Sequence, residues 1–177
     1  MHPTCYALTG DRGHLTVPRF EAETHVGAEM EAVVRFHTDI QGLIELTPSV
    51  LNPRFEVIGG GDARLRPGKE FVLELTPMGV LPPIRHHARI VDITHDEDVV
   101  CILDELIDGP FETWIHRHLI SETSQGTRIY DDIRYRVSSG GPLFTLGAHV
   151  GLKLLFTYRS ARLKERFGPP EMTTQDG

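Results

Sequence analysis

GPFETWIHRHLISETSQGTRIYDDIRYRV, residues 109–137, decides the fold. Side-chain character alternates with period two through Trp114, His116, His118 and Ile120. It breaks at Ser124, Gln125 and Gly126, then alternates again through Ile129, Asp131, Ile133 and Tyr135. Two alternating runs around a turn predict a β-hairpin. Successive strand residues point to opposite faces, so Trp114, His116, His118 and Ile120 share one surface, which Glu112 begins, and Arg117 lies across the sheet. On the return strand Thr127, Ile129, Asp131, Ile133, Tyr135 and Val137 fall on the apolar face, and Arg128, Asp132, Arg134 and Arg136 on the wet one. A mostly apolar face therefore carries two histidines and a carboxylate, and a reading of function has to account for them.

Upstream of the hairpin, short strands are expected over residues 55–58, 70–76, 84–93 and 99–106, separated by turn residues such as Gly59-Gly60-Gly61-Asp62 and Pro67-Gly68. The glycine run has no helix after it and reads as a turn rather than a phosphate loop. Strands so closely spaced, with no helices between them, mean an antiparallel meander and not βαβ units. A first strand is expected over 16–26, with Phe20, Ala22, Thr24 and Val26 on one face. Two short helices follow, the second stopped by Thr47-Pro48, because the residue before proline avoids the α region. After Gly140-Gly141-Pro142 one long helix, 143–167, runs until Gly168-Pro169-Pro170. The fold class is thus α+β: a curved antiparallel sheet of about seven strands, two short helices and a long C-terminal helix over the concave face. Residues 1–15 read as an extension, 16–168 as one domain and 169–177 as a flexible tail.

Composition narrows the function classes. Among 177 residues 40% are apolar and 24% charged, the mix of an ordinary globular chain long enough for its own core. A net charge of −7 argues against nucleic acid as a partner. Cys5 and Cys101 are far apart and lack metal-type spacing, so no disulfide framework is implied, Cys101 reads as a core thiol, and a reducing cytoplasm fits. The N-terminus lacks the pattern of a signal peptide, and the longest apolar stretch is too broken by Gly147, His149, Gly151 and Lys153 for membrane insertion.

On the long helix, Ala148, Leu152, Leu155, Phe156, Leu163 and Phe167 fall on one stripe at about 100° per residue, and Arg159 falls within it. Its guanidinium either snorkels to water or pairs with a buried carboxylate, Asp131 first and Asp104 second. The opposite side, through Val150, Leu154 and Ala161, is also apolar and permits a homodimer.

The element order resembles the helix-grip fold of the START and SRPBCC superfamily, which includes birch-pollen-allergen-like proteins and bacterial polyketide cyclases. FHTD at 36–39, LTP at 46–48, DGPF at 108–111, W-x-H-x-H at 114–118, GT-x3-D-x-I-x-Y at 126–135 and YR-x3-L-x3-F at 158–167 are similar to the bacterial ligand-binding SRPBCC subfamily. His86 stands where relatives often have Trp, and Leu106 where they often have Gln. The resemblance implies an internal cavity between sheet and helix for a hydrophobic or amphipathic small molecule. By the same analogy the short helices over 30–46 and the loop at 77–81 frame its entrance. It does not imply a single activity.

The expected ligand-binding residues are Trp114, His116, His118, Ile120, Asp131, Ile133, Tyr135, Leu152, Phe156 and Arg159, apolar bulk with a few polar anchors. A carrier or sensor is favoured over an enzyme, and no cofactor is expected. The alternative is a polyketide-cyclase-like or dehydratase-like enzyme in which His116, His118 and Asp131 move a proton and Tyr135 or Arg159 stabilises an oxyanion. His116-x-His118-x3-Glu122 also resembles the metal-binding set of a cupin, but the surrounding glycines and the helices fit a cupin poorly, so no metal is expected. His86 and His87 read as a wall or surface pair.

Overall fold

The computed structural model describes residues 17–138 and 141–170. The chain runs β1 (Arg19–Val26), α1 (Met30–His37), α2 (Ile40–Glu45), β2 (Arg54–Val57), β3 (Glu70–Leu75), β4 (Ile84–Asp96), β5 (Val99–Asp108), β6 (Phe111–Thr123), β7 (Gly126–Val137) and α3 (Gly141–Phe167). Single 3-10 turns occupy Ser49–Leu51 and Pro77–Gly79. The expectations for residues 1–15 and 171–177 lie outside the described residues.

All seven strands form one antiparallel sheet in the order β1-β7-β6-β5-β4-β3-β2. β1 and β2 therefore occupy opposite edges, and α1 and α2, which lie between them in sequence, carry the chain across. The boundaries follow local chemistry. Asp39 caps α2 by accepting from the Gln41 amide at 2.8 Å, which satisfies a donor the helix leaves open. The hairpin tip is drawn against the end of β1: a Cβ on Gly126 would sit 2.2 Å from the Val26 carbonyl oxygen, and Thr127 Oγ1 donates to the Ala28 carbonyl at 2.6 Å. Gly126, at φ +123°, is thus required both by conformation and by space.

Two apolar clusters fill the interior. The larger joins β1, α1 and the sheet through Val26, Val33, Phe36, Ile90, Ile102, Ile120 and Ile129, closed by Leu163 of α3. The smaller gathers Phe20, Ile133, Tyr135, Leu152 and Phe156. Leu152, Phe156 and Leu163 confirm the stripe read from the sequence, and burying each contributes roughly 1.5–3 kcal/mol. The first half of α3 is different: Leu143, Phe144, Leu146, Val150 and Leu154 remain exposed.

Three expectations are corrected. Glu112 does not begin the inner face. A bulge between Phe111 and Thr113 shifts the register, and such an extra residue re-aims side chains. Phe111 packs inward on Trp114 and Tyr135, while Glu112 reaches Arg136 at 3.9 Å. Asp132, assigned to the wet face, is only 1% exposed, because Arg19 and Arg117 close over it. Cys101 is buried in β5 but is disulfide-bonded rather than a free thiol; Cys5 lies outside the described residues. No helix among the described residues is long and apolar enough to cross a membrane.

Candidate functional site

The hairpin register sets His116 opposite Ile133 and His118 opposite Asp131, and the next pairing sets Asp104 of β5 opposite His116. With all four polar side chains on one face, they meet. The two imidazoles lie side by side, centroids 3.8 Å apart, between the two carboxylates. His116 Nε2 is 3.0 Å from Asp131 Oδ1, and its Nδ1 is 3.4 Å from Asp104 Oδ2. His118 Nδ1 is 2.6 Å from the same Asp131 oxygen, and its Nε2 is 3.8 Å from Asp104 Oδ2. The His116–Asp131 contact is a hydrogen bond. His118 Nδ1, close to Asp131 but out of line, is a buried nitrogen without one. Trp114 Nε1 donates to Asp104 Oδ1 at 3.3 Å.

These groups are deep, between 4% and 8% exposed. Burial, reinforced by the neighbouring His118, pushes His116 below the usual imidazole range. Burial alone would raise the Asp131 carboxyl, but His118 and His116 together hold it low. His37, at the end of α1, stacks edge-on against His118 with centroids 5.8 Å apart. Burial brings His37 down to about 4, and its Nδ1 is bonded to the Val33 carbonyl at 2.8 Å.

Arg159 is also drawn in. Its Nε donates to the Leu46 carbonyl at 3.3 Å and its guanidinium lies over the Phe156 ring. Desolvation lowers its pKa, opposed by Asp131 and Asp104. It thus faces both carboxylates at a distance without a direct ion pair among the described contacts. Tyr135 does not join the cluster; its hydroxyl meets His149 Nδ1 at 3.2 Å. Ile120, Ile133, Leu152 and Phe156 are packed core.

An open groove of about 750 Å³ lies at the other end of the hairpin, lined by Pro110, Phe111, Val137, Ser138, Leu143, Phe144, Gly147 and Ala148. A chain of rings links it to the cluster: Phe111 to Trp114 at 4.9 Å and Trp114 to His116 at 6.0 Å. None of the ten residues expected to bind ligand lines this groove. Phe111, Leu143 and Phe144, which do, were missed. The DGPF bulge was the available signal for Phe111, and the surplus apolar side of α3 was the one for the other two. Strand alternation parts the histidine pair: His86 meets Trp114 at 5.1 Å, whereas His87 bonds Glu70 at 3.0 Å.

Comparison with known proteins bears on the fold. No protein-family model matches the sequence, and no curated protein matches it significantly. Solved structures do match. A START superfamily protein from Mycobacterium smegmatis superposes with a TM-score of 0.61 at 16% identity, covering 84% of this chain and 98% of that one. This chain has the START-type helix-grip fold. Norcoclaurine synthase from Thalictrum flavum, solved in complex with dopamine and hydroxybenzaldehyde, shares this helix-grip fold at a TM-score of 0.58 and 15% identity, with 85% and 88% covered. Ara h 8.0201 gives 0.55 and 13%, with 84% and 99% covered.

Proposed function

We propose that the protein binds a hydrophobic or amphipathic small molecule in the groove between the start of β6 and the first turns of α3. The observation that carries this reading is the groove itself. Its volume of about 750 Å³ falls within the about 300–1,000 Å³ of ordinary ligand sites, and its walls are Phe111, Leu143, Phe144 and Ala148 with Ser138 at the edge. Leu146, Val150 and Leu154 of α3 are further exposed apolar side chains outside it. Trp114 is the chain's single tryptophan and touches Phe111, so it reports occupancy directly.

The test is titration with an anilinonaphthalene sulfonate or a medium-chain fatty acid, read by tryptophan fluorescence, with native mass spectrometry of the untreated protein for a co-purifying adduct. Phe111→Ser and Phe144→Ser are expected to weaken binding about tenfold each, the loss of one well-buried aromatic contact. Binding that survives both substitutions unchanged defeats the assignment.

A second reading, a cyclase-like or dehydratase-like enzyme, draws on the His116–Asp131 hydrogen bond. Its weakness is geometric: both nitrogens of each imidazole face a carboxylate, so no lone pair faces the groove to take a substrate proton. Turnover of a polyketide-like carbonyl substrate, lost in His116→Ala, would reinstate it.

A further inference from the structure

The four-residue cluster has an internal conflict that its own members do not resolve. Each neutral imidazole carries one N–H. The nearest acceptor for both is the same atom, Asp131 Oδ1, at 3.0 Å from His116 Nε2 and 2.6 Å from His118 Nδ1. If the protons sit there, the remaining nitrogens, His116 Nδ1 and His118 Nε2, present bare lone pairs toward Asp104 Oδ2 at 3.4 and 3.8 Å. Three electron-rich atoms then converge in a buried site, and the arginine that faces the two carboxylates does not reach contact with either. Buried lone pairs turned on one another are costly unless something positive sits between them.

Their spacing says what fits. One donor atom from each of Asp104, His116 and His118 lies within 4.8 Å of the other two. Zinc bonds to nitrogen and oxygen of about 2.0–2.2 Å set tetrahedral neighbours about 3.3–3.6 Å apart. The 3.4 Å from His116 Nδ1 to Asp104 Oδ2 matches this, and the 3.8 Å from His118 Nε2 exceeds it by no more than a small side-chain adjustment. The surroundings have the form such a site needs. Metal-bound histidines characteristically hand their other N–H to a carboxylate, which is the position Asp131 holds for His116 through its hydrogen bond; His118 Nδ1 lies beside the same oxygen at 2.6 Å but out of line. Trp114 Nε1 occupies Asp104 Oδ1 and leaves Oδ2 free.

We infer that Asp104, His116 and His118 bind a divalent transition-metal ion of the zinc class, with Asp131 orienting His116 from behind. Two nitrogens and one carboxylate oxygen leave at least one coordination position open, the pattern of reactive rather than purely structural zinc sites. The third ligand comes from the neighbouring strand. Glu122, the partner suggested by spacing along β6, is exposed beyond Ile120, so the hairpin sequence alone does not contain the set. The inference stands apart from the groove reading, because it can hold while the groove stays empty.

The experiment uses untagged full-length protein stripped with a chelator, then titrated with zinc and with cobalt, followed by calorimetry, elemental analysis and visible spectroscopy. One ion per chain is expected, with intense cobalt d–d bands of a low-coordinate site. Asp104→Asn and His118→Gln, near-isosteric changes, are expected to weaken zinc by more than about 100-fold. Asp131→Asn keeps the stoichiometry and costs about 10–100-fold, as outer hydrogen-bond partners do. Absence of binding by the wild-type chain overturns the inference. So does one ion per chain that persists in both ligand variants, which would locate it on the surface. Should a variant fail to fold, the wild-type cobalt spectrum decides, since weak octahedral bands alone would exclude the site.

Discussion

Asp131 and Asp132 are adjacent on β7, point to opposite faces, and are both buried carboxylates held below their usual range, yet they keep different company. Asp132 lies between two arginines: Arg19 Nε donates to Oδ1 at 2.7 Å and Arg117 to Oδ2. Guanidinium stays charged at any working pH, so that outer cluster is a closed, permanent ion triad. Asp131 faces two imidazoles and, across them, a second carboxylate. Its partners can change protonation state or take a metal. The same side chain one residue apart thus serves to fasten the sheet on one face and to face a pair of imidazoles on the other.

The largest effect that could break this comparison is on stability. Asp132→Ala removes the buried carboxylate that Arg19 and Arg117 both donate to, leaving two guanidinium groups facing one another across the vacated position, and is expected to cost about 3–5 kcal/mol. Asp131→Ala leaves the His116 imidazole with an unmet donor and also removes one of two neighbouring carboxylates, so about 1–3 kcal/mol is expected. Chemical denaturation of chelator-treated protein at neutral pH measures both. Equal losses would mean that Asp131 is a structural anchor like its neighbour.

Acid sharpens the same contrast. Burial alone would raise the Asp132 carboxyl; its hydrogen bonds to Arg19 and Arg117 outweigh that and hold it low. A carboxylate depressed in the folded state contributes stability that is fully present above its unfolded pKa and is lost as pH falls through the folded one. The stability gap between wild type and Asp132→Asn should therefore stay level from pH 8 down to the ordinary carboxylate range near 3.8 and close only below it. A gap that already changes between pH 8 and 6 would show that imidazoles, not arginines, govern this residue.

Much of this was legible in the sequence. Period-two alternation set the hairpin register, and with it the meeting of His116, His118 and Asp131, because one pairing fixes every side chain on both strands. The long helix and its buried stripe followed from the 3.6-residue repeat. What escaped has a common cause. Glu112 was placed inward by strict alternation, which a bulge interrupts without altering composition. Asp132 looked wet because charge is a poor guide to burial when two arginines from other strands close over it. Asp104 lies within an apolar run, and its contact with the histidines depends on the β5–β6 register, to which no local spacing refers. His37 arrives from α1 across the sheet, a tertiary contact again.

The two arginines on Asp132 provide the finest test, since they differ in exposure rather than in chemistry. Arg19 is 43% exposed and sits on edge strand β1, whereas Arg117 is 14% exposed and sits on β6, inside the sheet. Water screens the first and its side chain regains rotamer freedom when released, so Arg19→Met should cost less than about 1 kcal/mol, as exposed pairs do. Arg117→Met removes the better desolvated partner and also strips cover from a carboxylate with no exposed side-chain area, so it should cost more, about 2–3 kcal/mol, though less than Asp132→Ala because Arg19 remains to hold the charge. The order Asp132, Arg117, Arg19 is the signature of a triad organised around a buried acid. If Arg19→Met proved the costlier arginine substitution, its other contacts, to Glu21 of β1 and Tyr130 of β7, would be what ties the first strand to the hairpin, and the outer face would be fastened at its edge instead of at Asp132.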